Sequence, residues 1–130
     1  WWIRQALIGE QIALHGDGSI IRDYCYVQDI VDSLIVAAQN QKSIGEIFMV
    51  GSEKGTTIKE IVTMVLEAAS SNMEISFIPQ PKERKVIEVG NVTVSHHKIK
   101  ETLGWYPKTS LEEGIKKTVE FYKTNIKKYM

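Results

Sequence analysis

The side chains best suited to bind a ligand lie together on one short predicted strand. A Gly-Asp-Gly turn at residues 16–18 precedes it, since glycine reaches positive φ without a Cβ clash and Asp bonds its own backbone. Alternation with a period of two predicts a strand over 20–26 that carries Arg22, Tyr24 and Tyr26 on one face. A guanidinium is a planar fork of donors matched to phosphate, so this face predicts an anion site beside a flat ring. An edge strand with a solvated Arg is the alternative interpretation.

The other reactive side chains form no catalytic or metal-binding pattern. Cys25 is the single cysteine, so no internal disulfide is possible, and its apolar and aromatic neighbours in the sequence favour an inert thiol on the opposite strand face. His96 and His97 are adjacent and therefore lack the spacing of metal ligands, and no metal site is predicted. The acidic pair at 112–113 belongs to a helix N-terminus rather than to an acid/base pair.

Composition limits the classes of partner. The chain has 130 residues, of which 43% are hydrophobic, and this length predicts a single domain over residues 1–130. Sixteen basic and sixteen acidic residues cancel, so no long-range field favours nucleic acid or a membrane surface. No apolar run reaches the roughly 18 residues that a membrane helix needs. A lone cysteine is typical of a reducing compartment, and a cytoplasmic location is predicted.

Short strands alternating with amphipathic helices predict a mixed α/β fold. The helix beginning near Ile30 carries an apolar stripe, and Thr57 and Ser110 each begin a helix with a Glu three residues later, which is a capping box. The predicted elements are helices at 2–8, 30–38, 58–69, 96–103 and 111–122, with Ser95 as cap and Gly104 as end of the fourth, and strands at 12–14, 20–26, 46–50, 74–78 and 86–89.

Three segments resemble the extended short-chain dehydrogenases/reductases, the NAD-dependent nucleotide-sugar epimerase and dehydratase family that includes UDP-glucose 4-epimerase. Residues 16–30 resemble its G-D-G-x-x-x-R-D-[FY]-x-[YH]-V-x-D-[VI] segment, residues 48–51 its [YF]-N-x-G strand end, and residues 103–115 its L-G-W-x-P-x-x-S-L-E-E-G-[IL] close. The resemblance covers nearly the whole chain and only the C-terminal part of the family. Met49 stands where the family usually has Asn, and Ser95 where it usually has Asp.

The resemblance implies roles for particular residues. In this family the Arg of the first motif contacts the diphosphate of a nucleotide-sugar, which implies that role for Arg22. A second Arg in the Pro-rich loop has the same function, which implies Arg84, with Lys85 as the alternative register. Tyr24 and Tyr26 are implied in lining the sugar or base pocket, with aromatic packing as the alternative.

The family's catalytic half is not found in this sequence. Its Gly-x-x-Gly-x-x-Gly cofactor loop is absent, and so is its Tyr-x-x-x-Lys pair, in which Lys lowers the pKa of the acid/base Tyr. We therefore expect a substrate-binding C-terminal portion that is inactive alone, with no catalytic residue, cut from an enzyme whose N-terminal Rossmann half binds NAD. Exposed apolar surface is expected where that half docks, and a homodimer is expected for the parent. The alternatives are a fragment of an extended reductase acting on a non-nucleotide substrate, and a non-catalytic interaction or assembly module.

Overall fold

Helices and short strands alternate along the chain in the computed structural model, which describes residues 1–81 and 89–129. The predicted mixed α/β class is confirmed. In order, the elements are α1 (Trp2–Ile8), β1 (Ile12–His15), β2 (Ile21–Asp23), α2 (Val27–Gln39), β3 (Gly55–Thr57), α3 (Ile58–Ala69), β4 (Ile75–Ile78), α4 (His97–Leu103) and α5 (Leu111–Asn125), with 3-10 turns at Gln41–Ser43 and Ile126–Lys128.

The core forms where a parallel strand pair meets two helices. β1 pairs with β4 in the register Ile12 to Ile75, and β2 pairs with β3 antiparallel. Ile12 is fully buried, as is Val62 of α3. Burying one such aliphatic side chain contributes about 1.5–3 kcal/mol. The rest of the buried cluster is Ala6, Leu14, Val65 and Leu66.

Helix ends follow the local sequence closely. The Thr57 hydroxyl accepts from the backbone N–H of Glu60, and the backbone N–H of Thr57 donates to the Glu60 carboxylate in return, so the first capping box is confirmed. Gly104 ends α4 in the left-handed conformation, as expected of glycine there. Ser110 caps α5 at 3.2 Å from the N–H of Glu113, but the carboxylate of Glu113 pairs with Lys117 at 2.7 Å instead of returning to the cap.

Two predicted strands are shorter than expected or absent. The strand predicted over 20–26 is limited to β2, because its ladder with β3 ends at Asp23. The strand predicted over 46–50 is wrong for the described residues, where the segment has no ladder partner. Ile47 is 81% exposed and Met49 is 60% exposed. Strands require a neighbour for their backbone N–H and C=O groups, which local alternation cannot supply. Of the strand predicted at 86–89, all but Val89 lies outside the described residues, and Val89 is not in a strand.

Helix α2 buries polar residues and exposes apolar ones. Leu34 of the predicted stripe is 65% exposed, whereas Asp29 is 4% exposed and Ser33 is 2% exposed. The Asp29 carboxylate accepts from the backbone N–H groups of Lys108 at 3.2 Å and Thr109 at 3.1 Å. Asp29 therefore ties the start of α2 to the loop that leads into α5.

Replacing Asp29 tests this tie. Asp29→Ala should lower the free energy of unfolding by about 2–4 kcal/mol, because two part-buried backbone N–H groups lose their side-chain acceptor. Urea unfolding followed by circular dichroism measures the loss. Asp32→Ala on the same helix is the matched control, since the hydrogen bond of Asp32 within the described residues is to the exposed Gln28 side chain at 3.0 Å; equal losses in the two variants would contradict the assignment.

Candidate functional site

Arg22 lies in the middle of β2 with its side chain held at two points. Its Nη1 donates to the carbonyl of Ile21 at 2.9 Å and also to the carbonyl of Gly90. Both acceptors are backbone atoms, so these bonds fix the direction of the guanidinium relative to the strand. A fixed, charged fork of this kind is suited to an anion.

The residues after Gly90 lie along the second edge of β2. The N–H of Ile21 donates to Asn91 Oδ1 at 2.9 Å, and the N–H of Val92 donates to the carbonyl of Ile21 at 3.1 Å. β2 is therefore flanked by β3 on one side and by residues 90–94 on the other. Arg84 and Lys85 precede this segment but lie outside the described residues.

Asp23, the next residue on β2, accepts four hydrogen bonds. Its donors are the backbone N–H groups of Ser52 at 2.8 Å, Glu53 at 3.1 Å and Val94 at 2.9 Å, and the hydroxyl of Ser52 at 2.5 Å. Burial raises the pKa of Asp23, but the hydrogen bonds from Ser52, Val94 and Glu53 outweigh it and lower the pKa below the usual value. The carboxylate thus stays ionised and joins two loops to β2.

The role of Asp23 as an acceptor for two loops was not predicted from the sequence. A signal was present, because Asp is disfavoured inside strands and its presence needs a reason. Gly51 is a second signal, since a Cβ there would lie 2.8 Å from Asp23 Oδ2 and 2.6 Å from Val94 Cβ. Only glycine lets these segments approach so closely.

Glu53 forms a second junction beside the first. Its φ is +62°, unusual for a residue other than glycine, and its Oε1 accepts from Ser95 Oγ at 2.5 Å and from the N–H of His96 at 2.8 Å. His96 Nδ1 lies 3.0 Å from the carbonyl of Gly51. The predicted Ser95 cap is thereby corrected: His96 is the N-cap of α4, and Ser95 Oγ accepts from the N–H of His97 at 3.2 Å. Ser95 can donate to Glu53, which an ionised Asp could not.

A cleft of about 940 Å³ opens where the chain leaves β2. Tyr24, Cys25 and Tyr26 all line it, so the predicted division of Cys25 from the two tyrosines is wrong, because regular alternation stops with the strand at Asp23. The guanidinium of Arg22 is not part of the cleft wall. Burial raises the pKa of Tyr24 while the positive charge of Arg22 lowers it, so the two side chains are electrostatic neighbours.

The contacts of Tyr26 and the pKa of Cys25 favour structural roles for these two residues of the cleft. Tyr26 packs on α5, where a Cβ at Gly114 would lie 3.2 Å from its ring, and Lys117 Nζ lies 5.5 Å from the ring centroid. Burial, followed by the charges of Asp29 and Asp23, raises the pKa of the Cys25 thiol. A raised pKa keeps this thiol protonated and weakly reactive.

The described residues do not fit a dinucleotide cofactor. The diphosphate of a dinucleotide cofactor is usually cradled by a glycine-rich turn between a strand and a helix. The turn from β2 to α2 contains no glycine, and β3 runs directly into α3. Within residues 1–81 and 89–129 there is also no group of three or more His, Cys, Asp or Glu side chains that could hold a metal ion. No described helix has the length and apolarity needed to cross a membrane.

Glu53 predicts a dependence of stability on acid pH. Hydrogen bonds from Ser95 and His96 lower the pKa of Glu53, so its contribution to stability is present above the unfolded-state pKa of about 4.3 and is lost as pH falls through the lower folded-state value. Glu53→Gln should lower the melting temperature at pH 7 and reduce the decline in stability between about pH 5 and pH 3. Thermal unfolding across this range is the measurement, with Glu46→Gln as the exposed control; an unchanged acid slope in Glu53→Gln would contradict it.

Comparison with known proteins places this arrangement among enzymes of nucleotide-sugars. The family model described as GDP-mannose 4,6 dehydratase matches residues 2–118. The chain is 32% identical to UDP-N-acetyl-alpha-D-glucosaminuronate decarboxylase of Bacillus cytotoxicus, over 94% of this chain and 38% of that protein. It is 34% identical to UDP-glucose 4-epimerase of Mycolicibacterium smegmatis, over 90% of this chain and 36% of that protein.

Solved structures give the same result. UDP-glucose 4-epimerase of Thermotoga maritima, solved with UDP-glucose, superposes with a TM-score of 0.85 at 33% identity and covers 96% of this chain. The Thermus thermophilus UDP-glucose 4-epimerase, a complex with NAD, has a TM-score of 0.80 at 28% identity and covers 94% of it. In both cases the matched region is 38% of the other chain, so this chain spans well under half the length of the proteins it resembles.

Proposed function

Because the chain belongs to the GDP-mannose 4,6 dehydratase family, we propose that it forms the substrate-binding part of an NAD-dependent nucleotide-sugar epimerase or dehydratase. In this proposal Arg22 binds the diphosphate of the substrate. The observation that carries it is the anchored guanidinium, which donates to the carbonyls of Ile21 and Gly90 and whose charge acts on Tyr24, a residue that lines the cleft. The Thermotoga maritima relative, which the fold matches, was solved with UDP-glucose.

Tyr24, Tyr26 and Arg84 are the other proposed substrate contacts, and each is supported by a different observation. Tyr24 is a neighbour of Arg22 and faces the cleft, which suits it to contact the sugar or the base. Tyr26 lines the same cleft, but its packing on α5 supports a structural part as well. Arg84 lies outside the described residues, and its proposed contact with the diphosphate rests on the family resemblance.

The redox chemistry is assigned to another part of the protein. NAD, when bound, takes and returns a hydride, and the described residues offer no site for it. This chain would recognise the nucleotide diphosphate and would be inactive alone, as a single substrate-binding domain over residues 1–130. The homodimeric state and the cytoplasmic location remain predictions.

Exposed apolar side chains on α2 and on the segment after it form an apolar face. This face supports the proposal that another part of the protein binds there. Leu34 of α2 is 65% exposed, and Ile44 and Ile47 of the following segment are 73% and 81% exposed. Within the described residues, 46–50 form no strand ladder. We propose that the cofactor-binding part covers this face and pairs with that segment, because a segment with exposed apolar side chains and no strand neighbour is suited to joining a sheet. A non-catalytic assembly module would use the same face.

Titration with UDP tests the diphosphate role of Arg22. Amide chemical shifts should move around Arg22 and Gly90 in the unaltered chain, and Arg22→Ala should weaken binding by about tenfold or more, since a charge-assisted contact is lost. Arg4→Ala is the matched control, because Arg4 lies on α1 and makes an ion pair with Glu10, at 3.1 Å. Absence of shifts at millimolar UDP, or equal binding by the Arg22 and Arg4 variants, would overturn the proposal.

The apolar face predicts self-association of the isolated chain. Sedimentation velocity should show concentration-dependent association, and the double variant Leu34→Glu/Ile47→Glu should reduce it, because each charge opposes burial of the face. Phe77→Glu serves as control, since Phe77 is 47% exposed on β4, which pairs with β1. A chain that stays monomeric at high concentration and binds no hydrophobic dye would contradict the docking role.

A further inference from the structure

The side chains of Arg22 and Asp23 are neighbours in sequence but leave the strand in opposite directions. Consecutive residues of a strand point to opposite faces, so an anion held by Arg22 is not in contact with the Asp23 carboxylate. The hydrogen bonds agree with this, because Arg22 donates to Gly90 while Asp23 accepts from Ser52, Glu53 and Val94. Both side chains therefore bond the segment of residues 90–94, and Asp23 in addition bonds residues 52–53.

One of these segments carries the second anchor of the guanidinium. Gly90 and Val94 belong to the stretch of residues 90–94 that runs along the edge of β2, and Asp23 Oδ2 binds its far end through the N–H of Val94 at 2.9 Å. Between these points Asn91 and Val92 bond Ile21, at 2.9 Å and 3.1 Å. Four residues of the stretch, Gly90, Asn91, Val92 and Thr93, are exposed. The position of the Gly90 carbonyl thus depends on the carboxylate that holds the end of the stretch.

We propose that Asp23 is a positioning residue of the anion site: by holding residues 90–94 and 52–53 against β2, it sets the direction of the Arg22 guanidinium. This inference rests on the proposed function of Arg22. Asp23 is negatively charged, and yet it would increase the affinity of the adjacent site for a negatively charged ligand.

The direction in which anion affinity changes when Asp23 loses its charge distinguishes positioning from a purely electrostatic effect. Removing a negative charge beside a cationic site should strengthen binding of an anion if only Coulomb interaction matters. If Asp23 acts by positioning, its neutral isostere should weaken binding, because the amide group of Asn cannot accept from all the N–H donors that now converge on the carboxylate. A weaker site after loss of an adjacent negative charge is an outcome that electrostatics alone does not produce.

A double-mutant cycle with UDP as the probe tests the inference. We expect Asp23→Asn to raise the Kd of this chain for UDP about fivefold or more, and to have no effect on the residual affinity in an Arg22→Ala background, since residues that act through one contact are not additive. Asp17→Asn is the matched control: it removes the same charge from a carboxylate whose hydrogen bonds in the described part of the chain come from Ser19, at 2.9 and 2.6 Å. Its affinity should equal or slightly exceed that of the unaltered chain.

Ser52→Ala is a milder variant that tests the same inference if Asp23→Asn does not fold. Ser52→Ala removes one donor, the hydroxyl 2.5 Å from Asp23, and should weaken UDP binding in the same direction by a smaller factor. Unchanged or tighter binding in Asp23→Asn, or an equal effect of Asp23→Asn in both backgrounds, would overturn the inference. The second of these results would show that Asp23 contributes only general stability.

A measurement without ligand separates this inference from the proposed function. In spectra of the free chain, Asp23→Asn should shift the side-chain Nε–H of Arg22 and the amide of Gly90, whereas Asp17→Asn should leave both unchanged. If these shifts occur and UDP does not bind the unaltered chain, the diphosphate role is overturned while the positioning of Arg22 by Asp23 stands. If UDP binds through Arg22 and the shifts are absent, the positioning inference is overturned and the proposed function stands.

Discussion

The rest of the site depends on one ionised carboxylate, that of Asp23, at the end of a three-residue strand. Asp23 accepts from two loops that have no strand ladder to hold them, through Ser52, Glu53 and Val94. Without an acceptor of this kind, three backbone N–H groups would have to find partners elsewhere or lose them on burial. The close approach also requires Gly51, where any Cβ would meet Val94 and the carboxylate itself.

Local features could be predicted from the sequence, and contacts between distant residues could not. Thr57 and Gly104 mark helix ends through bonds within a single turn, so their types are sufficient signals. Residues 46–50 alternate like a strand, but a strand exists only where a neighbour supplies the ladder. The anion site shows the same division. Arg22 was recognised by its type and motif, whereas its bond to Gly90 and the network of Asp23 join residues far apart in the chain.

The molecule has two surfaces of different character. Around β2 the backbone is satisfied on both edges, by β3 and by residues 90–94, and charged side chains are held in defined bonds. Along α2 the polar residues Asp29 and Ser33 are buried and apolar ones are exposed. Such an inversion of the usual helix pattern is explained if α2 uses its polar side to bind the loop before α5 and its apolar side to contact another part of the protein.

The separation of the contacts around Arg22 along the chain has a consequence for engineering. Its bond to Gly90 spans 68 residues, and those of Asp23 span 29, 30 and 71 residues. A peptide or graft that copies residues 16–30 into another scaffold would carry the arginine without the segments that orient it. A graft would have to carry all three chain segments, because the residues that orient Arg22 lie outside the motif of residues 16–30.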